Sequence, residues 1–232
     1  VLSKLLDAAC EPYARAGRFA YHFARGKLSA DPVYLRLLQL GLLGGRERIL
    51  DLGCGQGLLT AWLRAASRVE ASGDWPPDWP PPPRPLSMRG IELMAADVLR
   101  AQRALGQDCE VSQGDIRSAA LGDADAVVIL DVLHYMDGPS QRAILQRVRG
   151  ALPLQGLLLL RIGDADGGLR FRYSQWVDKL VMLLRGHAWV NTDCRPVQEW
   201  VLLLKECGFA VETKPMSQGT PFANVLLVAH AA

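Results

Sequence analysis

Arg48-Ile49-Leu50-Asp51-Leu52-Gly53-Cys54-Gly55-Gln56-Gly57-Leu58-Leu59-Thr60-Ala61-Trp62-Leu63 decides how this chain folds. Its opening apolar run reads as a short buried strand. An acid and three alternating glycines follow, and then a helical pattern. Strand, glycine turn and helix start together bring bare backbone and a helix N-terminus up against a small ligand. The spacing is Gly-x-Gly-x-Gly, not the Gly-x-Gly-x-x-Gly of nicotinamide enzymes, and Asp51 precedes the first glycine by two residues. A pyrophosphate would favour uncompensated N–H groups, whereas a carboxylate at the turn favours a cationic group on the ligand.

Outward from this turn, short apolar runs alternate with helical patterns. Met88 to Glu92, Cys109 to Gln113, Ala126 to Asp131 and Gly156 to Ile162 read as strands. Ala95 to Leu105, Ser140 to Leu152 and Val197 to Cys207 read as helices, the last closed by Gly208. Phe209 to Thr213 and Asn224 to His230 end the chain as two strands. Upstream, Tyr13 to Phe23 and Val33 to Leu43 carry helical periodicity, with Asp31-Pro32 as cap and first-turn pair. The alternation predicts an α/β fold: a parallel sheet, helices on both faces, and ligands at the strands' carboxyl ends. Ser72 to Leu86 interrupts it with seven of the chain's 14 prolines. Proline at that density forbids both helix and sheet ladder, leaving an extended loop.

Composition narrows the function classes. A length of 232 residues suits one domain, and a hydrophobic share of 50% is that of a globular protein. A net charge of +2 carries no electrostatic footprint for nucleic acid. No apolar run is long enough to span a bilayer. Five scattered cysteines without Cys-x-x-Cys spacing fit a reduced cytoplasm, and four isolated histidines give no metal-ligand pattern.

Four acids, Asp51, Glu92, Asp115 and Asp131, fall where successive strands should end. Glu92 could bridge two ribose hydroxyls, and Asp115 could accept from an exocyclic adenine amine with Ile116 packed on the ring. A solvated loop acid is the alternative for each taken singly. This ordered set, Ile49 to Gly57 with Glu92, Gly114-Asp115-Ile116 and Leu130-Asp131-Val132-Leu133-His134-Tyr135, resembles the motifs of class I S-adenosylmethionine (SAM) methyltransferases. The resemblance implies a Rossmann-like, seven-stranded, mostly parallel sheet with an antiparallel final hairpin. It assigns the methyltransferase domain to residues 46–232, with residues 1–45 as a helical lid and 72–86 as an insertion. It also implies SAM held by Asp51, Gly53, Cys54, Gly55, Gly57, Glu92, Leu93, Asp115, Ile116, Leu130 and Asp131. The distance from the glycine turn to Glu92 exceeds the family's usual spacing, the insertion accounts for the excess, and Glu70 is the nearer alternative acid.

A sulfonium leaving group needs no acid, so the protein must align an acceptor and exclude water. His134 is the candidate general base if the acceptor is a hydroxyl; packing beside SAM is its other reading. Tyr135, Arg172 and Tyr173 are candidate acceptor contacts, and Arg170 with Arg172 would suit a carboxylate or phosphate. Arg25 or Lys27 could reach the methionine carboxylate from the lid. The expected activity is methyl transfer to a small or carrier-bound organic acceptor, at oxygen. A loose likeness to bacterial aryl-polyene and pigment-pathway methyltransferases accompanies it. A nicotinamide-dependent oxidoreductase and a catalytically silent SAM-binding protein are the competing readings.

Overall fold

The computed structural model describes residues 1–106, 110–163, 195–220 and 223–232. Helices α1 (Leu2–Cys10), α2 (Arg18–Ala30) and α3 (Pro32–Gln39) lead into strand β1 (Arg48–Leu52) and helix α4 (Leu58–Ala71). There follow β2 (Ser87–Glu92), α5 (Ala95–Leu105), β3 (Glu110–Gln113), β4 (Ala126–Leu130), α6 (Gly138–Ala151) and β5 (Leu157–Gly163). Helix α7 (Val197–Glu206) and strands β6 (Phe209–Pro215) and β7 (Asn224–Ala231) complete the chain. The strands make one seven-stranded sheet in the order β3-β2-β1-β4-β5-β7-β6. The expected Rossmann-like α/β sheet is therefore present. The chain divides into two compact units, Val1–Ala126 and Val127–Ala232.

In the first unit β1 and β2 run parallel, with Asp51 opposite Gly90 and Leu52 opposite Ile91. Strand β3 runs parallel to β2, setting Glu92 opposite Gln113. Ile49, Leu50, Asp51 and Leu52 are all buried, the unbroken pattern of a parallel strand covered on both faces. Helix α1 packs on α4, and the Trp62 indole of α4 donates to the Tyr34 carbonyl at 2.8 Å.

The helix expected over Tyr13 to Phe23 is in fact two pieces. A 3-10 helix, Glu11–Ala16, ends at Gly17, whose φ of 106° lies outside helical space, and α2 begins at Arg18. Glycine stops the helix where any other residue would resist that backbone. Asp31 caps α3 by accepting from the Val33 N–H at 3.1 Å, as its position before Pro32 predicts. That helix ends at Gln39, short of the expected Leu43, where a run containing Gly41, Gly44 and Gly45 takes over.

No helix or strand forms within Ser72 to Leu86. Trp75 packs edge-on against Trp79 and donates its indole N–H to the Pro80 carbonyl at 3.0 Å. Pro80 presses on Gly41, where an added Cβ would come within 2.9 Å of the proline. Lys4 of α1 pairs with Asp74 at 2.5 Å. The insertion is thus anchored to the N-terminal helices.

In the second unit β7 pairs antiparallel with both β5 and β6, the expected final hairpin. Asp137 caps α6, accepting from the Ser140 N–H at 2.8 Å. Helix α7 stops at Cys207 and Gly208, the latter in the left-handed region. Arg149 of α6 then donates to the carbonyls of Gly208 (3.1 Å) and Ala232 (2.6 Å).

Candidate functional site

The glycine turn is left-handed at each of Gly53 (φ 74°), Gly55 (φ 55°) and Gly57 (φ 74°). The N–H groups of Gly53 and Cys54 donate to the Ile91 carbonyl, tying the turn to β2. The three glycines have different reasons to be glycine. A Cβ on Gly57 would lie 2.6 Å from Leu105, so this position lets α4 approach α5. A Cβ on Gly55 would meet nothing within 4 Å, so the space above it is open to a ligand. Opposite the turn, Gly90 leaves room for the Cys54 thiol, which would sit 2.6 Å from any Cβ there.

Glu92, at the end of β2, accepts from the Gly55 N–H at 2.9 Å and from the Met94 N–H at 2.8 Å. It therefore braces the glycine turn and the start of α5 together. Each carboxylate oxygen keeps a second acceptor site after these bonds. Glu70, the alternative acid, lies in α4 and pairs with Arg84. Asp51 is buried, and no hydrogen bond from the described residues contributes to the electrostatics of its carboxyl group. Burial, followed by the neighbouring Glu92 charge, pushes its pKa up to about 7.

Asp115 does not stand free after β3. Its carboxylate takes the Arg117 guanidinium on both oxygens, with Nε–Oδ1 at 3.0 Å and Nη2–Oδ2 at 2.5 Å, and Oδ1 also accepts from the Arg117 backbone N–H at 2.9 Å. The Arg117 hydrogen bond holds its pKa below the ordinary value. Leu93 is exposed and Ile116 buried. Arg25 pairs with Asp7 and Lys27 with Asp31, each at 2.8 Å.

In the second unit Leu130 closes β4, and Asp131 follows at φ 59°. Its carboxylate grips the guanidinium of Arg161, whose Nε donates to Oδ1 at 2.8 Å and whose Nη2 donates to Oδ2. Arg161 is 1% exposed although it belongs to the otherwise apolar β5. His134 and Tyr135 share a 3-10 turn, Leu133–Tyr135, with ring centroids 4.0 Å apart. Arg170, Arg172 and Tyr173 lie outside the described residues.

Three side chains escaped the sequence reading. Arg161 had a signal, a lone cation inside an apolar strand that follows an acid at the end of β4. Gln141 of α6, fully buried, holds the carbonyls that flank His134 and Tyr135. Gln56, 1% exposed inside the glycine motif, has no hydrogen-bond partner for its side-chain amide among the described residues, while its main-chain carbonyl accepts from the Tyr13 hydroxyl at 2.8 Å. Among the described residues no group of His, Cys, Asp and Glu could hold a metal, and no helix is long and apolar enough to cross a membrane.

A mostly parallel sheet, a left-handed glycine turn and a buried acid at the end of β1 define an α/β protein of the Rossmann-like class. The chain belongs to the methyltransferase-domain family, which it matches over residues 21–214. It is 28% identical to a phenazine O-methyltransferase from Lysobacter antibioticus over 168 residues, covering 72% of this chain and 44% of the relative. It is 29% identical to a carboxy-S-adenosyl-L-methionine synthase from Chromohalobacter salexigens over 140 residues, covering 56% of this chain and 47% of the relative. The chain therefore spans about half the length of these curated relatives. The fold is also that of magnesium protoporphyrin IX methyltransferase from Synechocystis PCC 6803, solved with bound SAH, at TM-score 0.60 and 19% identity, covering 96% of this chain and 94% of that one. By family this is a methyltransferase domain, for which SAM is the methyl donor.

The first unit suits that cofactor on its own evidence. The space above Gly55 admits a close backbone contact, and a carboxyl left without a donor calls for a cationic partner.

Proposed function

We propose that this chain transfers the methyl group of SAM to a hydroxyl of a small or carrier-bound organic acceptor. The observation that carries the reading is Asp51, buried beside a second acid and unmet by any donor among the described residues. A ligand bearing an ammonium and a sulfonium supplies the missing positive charge, and phosphate-rich ligands do not. The likeness to a phenazine O-methyltransferase supports oxygen as the acceptor atom.

In this reading Gly53, Cys54, Gly55 and Gly57 present backbone to the cofactor, and Glu92 offers its remaining lone pairs to the ribose diol. Leu93 and Ile116 flank the adenine. Asp115 accepts from the exocyclic amine by giving up part of its bonding to Arg117. Leu130 and Asp131 orient the methionine end, Arg161 fixing the Asp131 carboxylate. SAM brings a methyl on a good leaving group, so the protein's share is alignment and the exclusion of water. His134 removes the acceptor proton, and Tyr135, Arg172 and Tyr173 contact the acceptor. Residues 1–45 serve as the lid, and scattered cysteines without Cys-x-x-Cys spacing accord with a cytoplasmic enzyme.

Two measurements test this. Thermal shift should show stabilisation by SAM and S-adenosylhomocysteine and none by NAD(H). Tritium from methyl-labelled SAM should then appear in small molecules of a cell extract, and His134→Ala should lower that rate by roughly 10²-fold or more with SAM affinity kept. Binding without any labelled product would favour a silent SAM-binding protein.

A further inference from the structure

The turn that carries His134 and Tyr135 has no ladder of its own to hold it. The Tyr135 and Met136 N–H groups close it internally, on the carbonyls of Val132 and Leu133. A buried side chain of the next helix supports it from outside. The Gln141 amide nitrogen donates to the Leu133 carbonyl at 3.1 Å and to the Met136 carbonyl at 2.9 Å, bracketing His134 and Tyr135 on both sides. Its oxygen accepts from the Arg195 Nε at 2.9 Å, and the Arg195 guanidinium lies over the Trp200 ring of α7 at 5.8 Å. All this happens at a residue with no exposed surface.

A buried amide whose donors and acceptor are all engaged is costly to disturb, because each orphaned partner carries a desolvation penalty. The three bonds also share one rigid plane. A shift of Arg195 relative to α6 must move the Gln141 amide or break a bond, and a moved amide drags both carbonyls with it. Apolar residues of similar volume could fill the space but could not fix the turn's orientation.

We propose that Gln141 is a positioning residue: it sets the orientation of the His134–Tyr135 turn and couples it to Arg195. This rests on the assignment of His134 to the acceptor side, and the test separates the two. Full-length protein carrying isotope-labelled histidine is saturated with S-adenosylhomocysteine, and the His134 NMR signal is identified by its loss in His134→Ala. Gln141→Leu should displace and broaden that signal, lower methyl transfer into extract small molecules by ~tenfold, and leave cofactor affinity within about twofold. Gln141→Glu should recover part of the wild-type signal as pH falls, since a protonated carboxyl regains one donor and an ionised one has none. A leucine variant that folds and leaves the His134 signal in place would overturn the proposal. Should that variant not fold, a glutamate variant whose His134 signal ignores the protonation of residue 141 would do the same. A displaced signal in Gln141→Leu with unchanged transfer in His134→Ala would instead sink the base assignment and leave the positioning role standing.

Discussion

Asp51 shows how a single residue carries both the fold's tension and its use. Its folded pKa of about 7 lies above the ordinary 3.8, so the folded chain holds a proton that the unfolded chain has already lost. Stability of the ligand-free protein therefore falls as pH rises from about 4 toward about 7. Binding a cation asks Asp51 to be ionised, so below pH 7 a proton must leave first. SAM affinity should weaken by up to ~tenfold per unit as pH drops below 7. Calorimetry in buffers of different ionisation enthalpy should record proton release, and Asp51→Asn should abolish both effects. An affinity that is flat with pH would contradict the role given to this carboxyl. At this scale the sequence was legible in part. The acids were found because strand ends expose them, but whether each was free was not. Asp115 holds Arg117, two residues on, and Asp131 holds Arg161, 30 residues away. The first partner is local, and the second shows in the sequence only as a lone cation inside an apolar strand.

Among the elements, the glycine turn divides cleanly into packing and binding. Gly57→Ala drives a methyl into Leu105 and should lower the melting temperature by several degrees, with the αL cost of ~1–2 kcal/mol added to the clash. Gly55→Ala meets open space, so it should cost only the backbone term yet weaken SAM binding at least tenfold. Equal loss of stability in the two variants would refute this division. Elements with strong periodicity could be read directly: α5 runs from Ala95 to Leu105 as expected, and β4 is buried without alternation. The N-terminal helices were harder. Apolar spacing runs on through Gly17, and periodicity does not register that one residue has left helical space. The 3-10 turn at His134 was likewise invisible, since what holds it is a side chain in the next helix.

For the whole molecule, the open question is what half the length of its curated relatives can do. Binding to the folded state alone stabilises by ~2.7 kcal/mol at a hundredfold excess over Kd. For a chain of this size that raises the melting temperature by roughly 5–10 °C. A shift of that order with SAM would show that this length suffices to hold the methyl donor, and its absence would show that the relatives' remaining length is needed. The parallel strands were foreseeable from the alternation of strands and helices, and the final hairpin from the family resemblance. The place of the insertion was not, because proline content reports what a segment cannot form and is silent on what it lies against. One contact bears on how such a domain should be cut. The family match begins at residue 21, yet the Tyr13 hydroxyl is already bonded to the main chain of Gln56 inside the glycine motif. A fragment trimmed to the matched span would leave that carbonyl to water and strip one wall from the loop. In this protein the boundary drawn by likeness falls inside the machinery, and any expression design should begin ahead of Leu2.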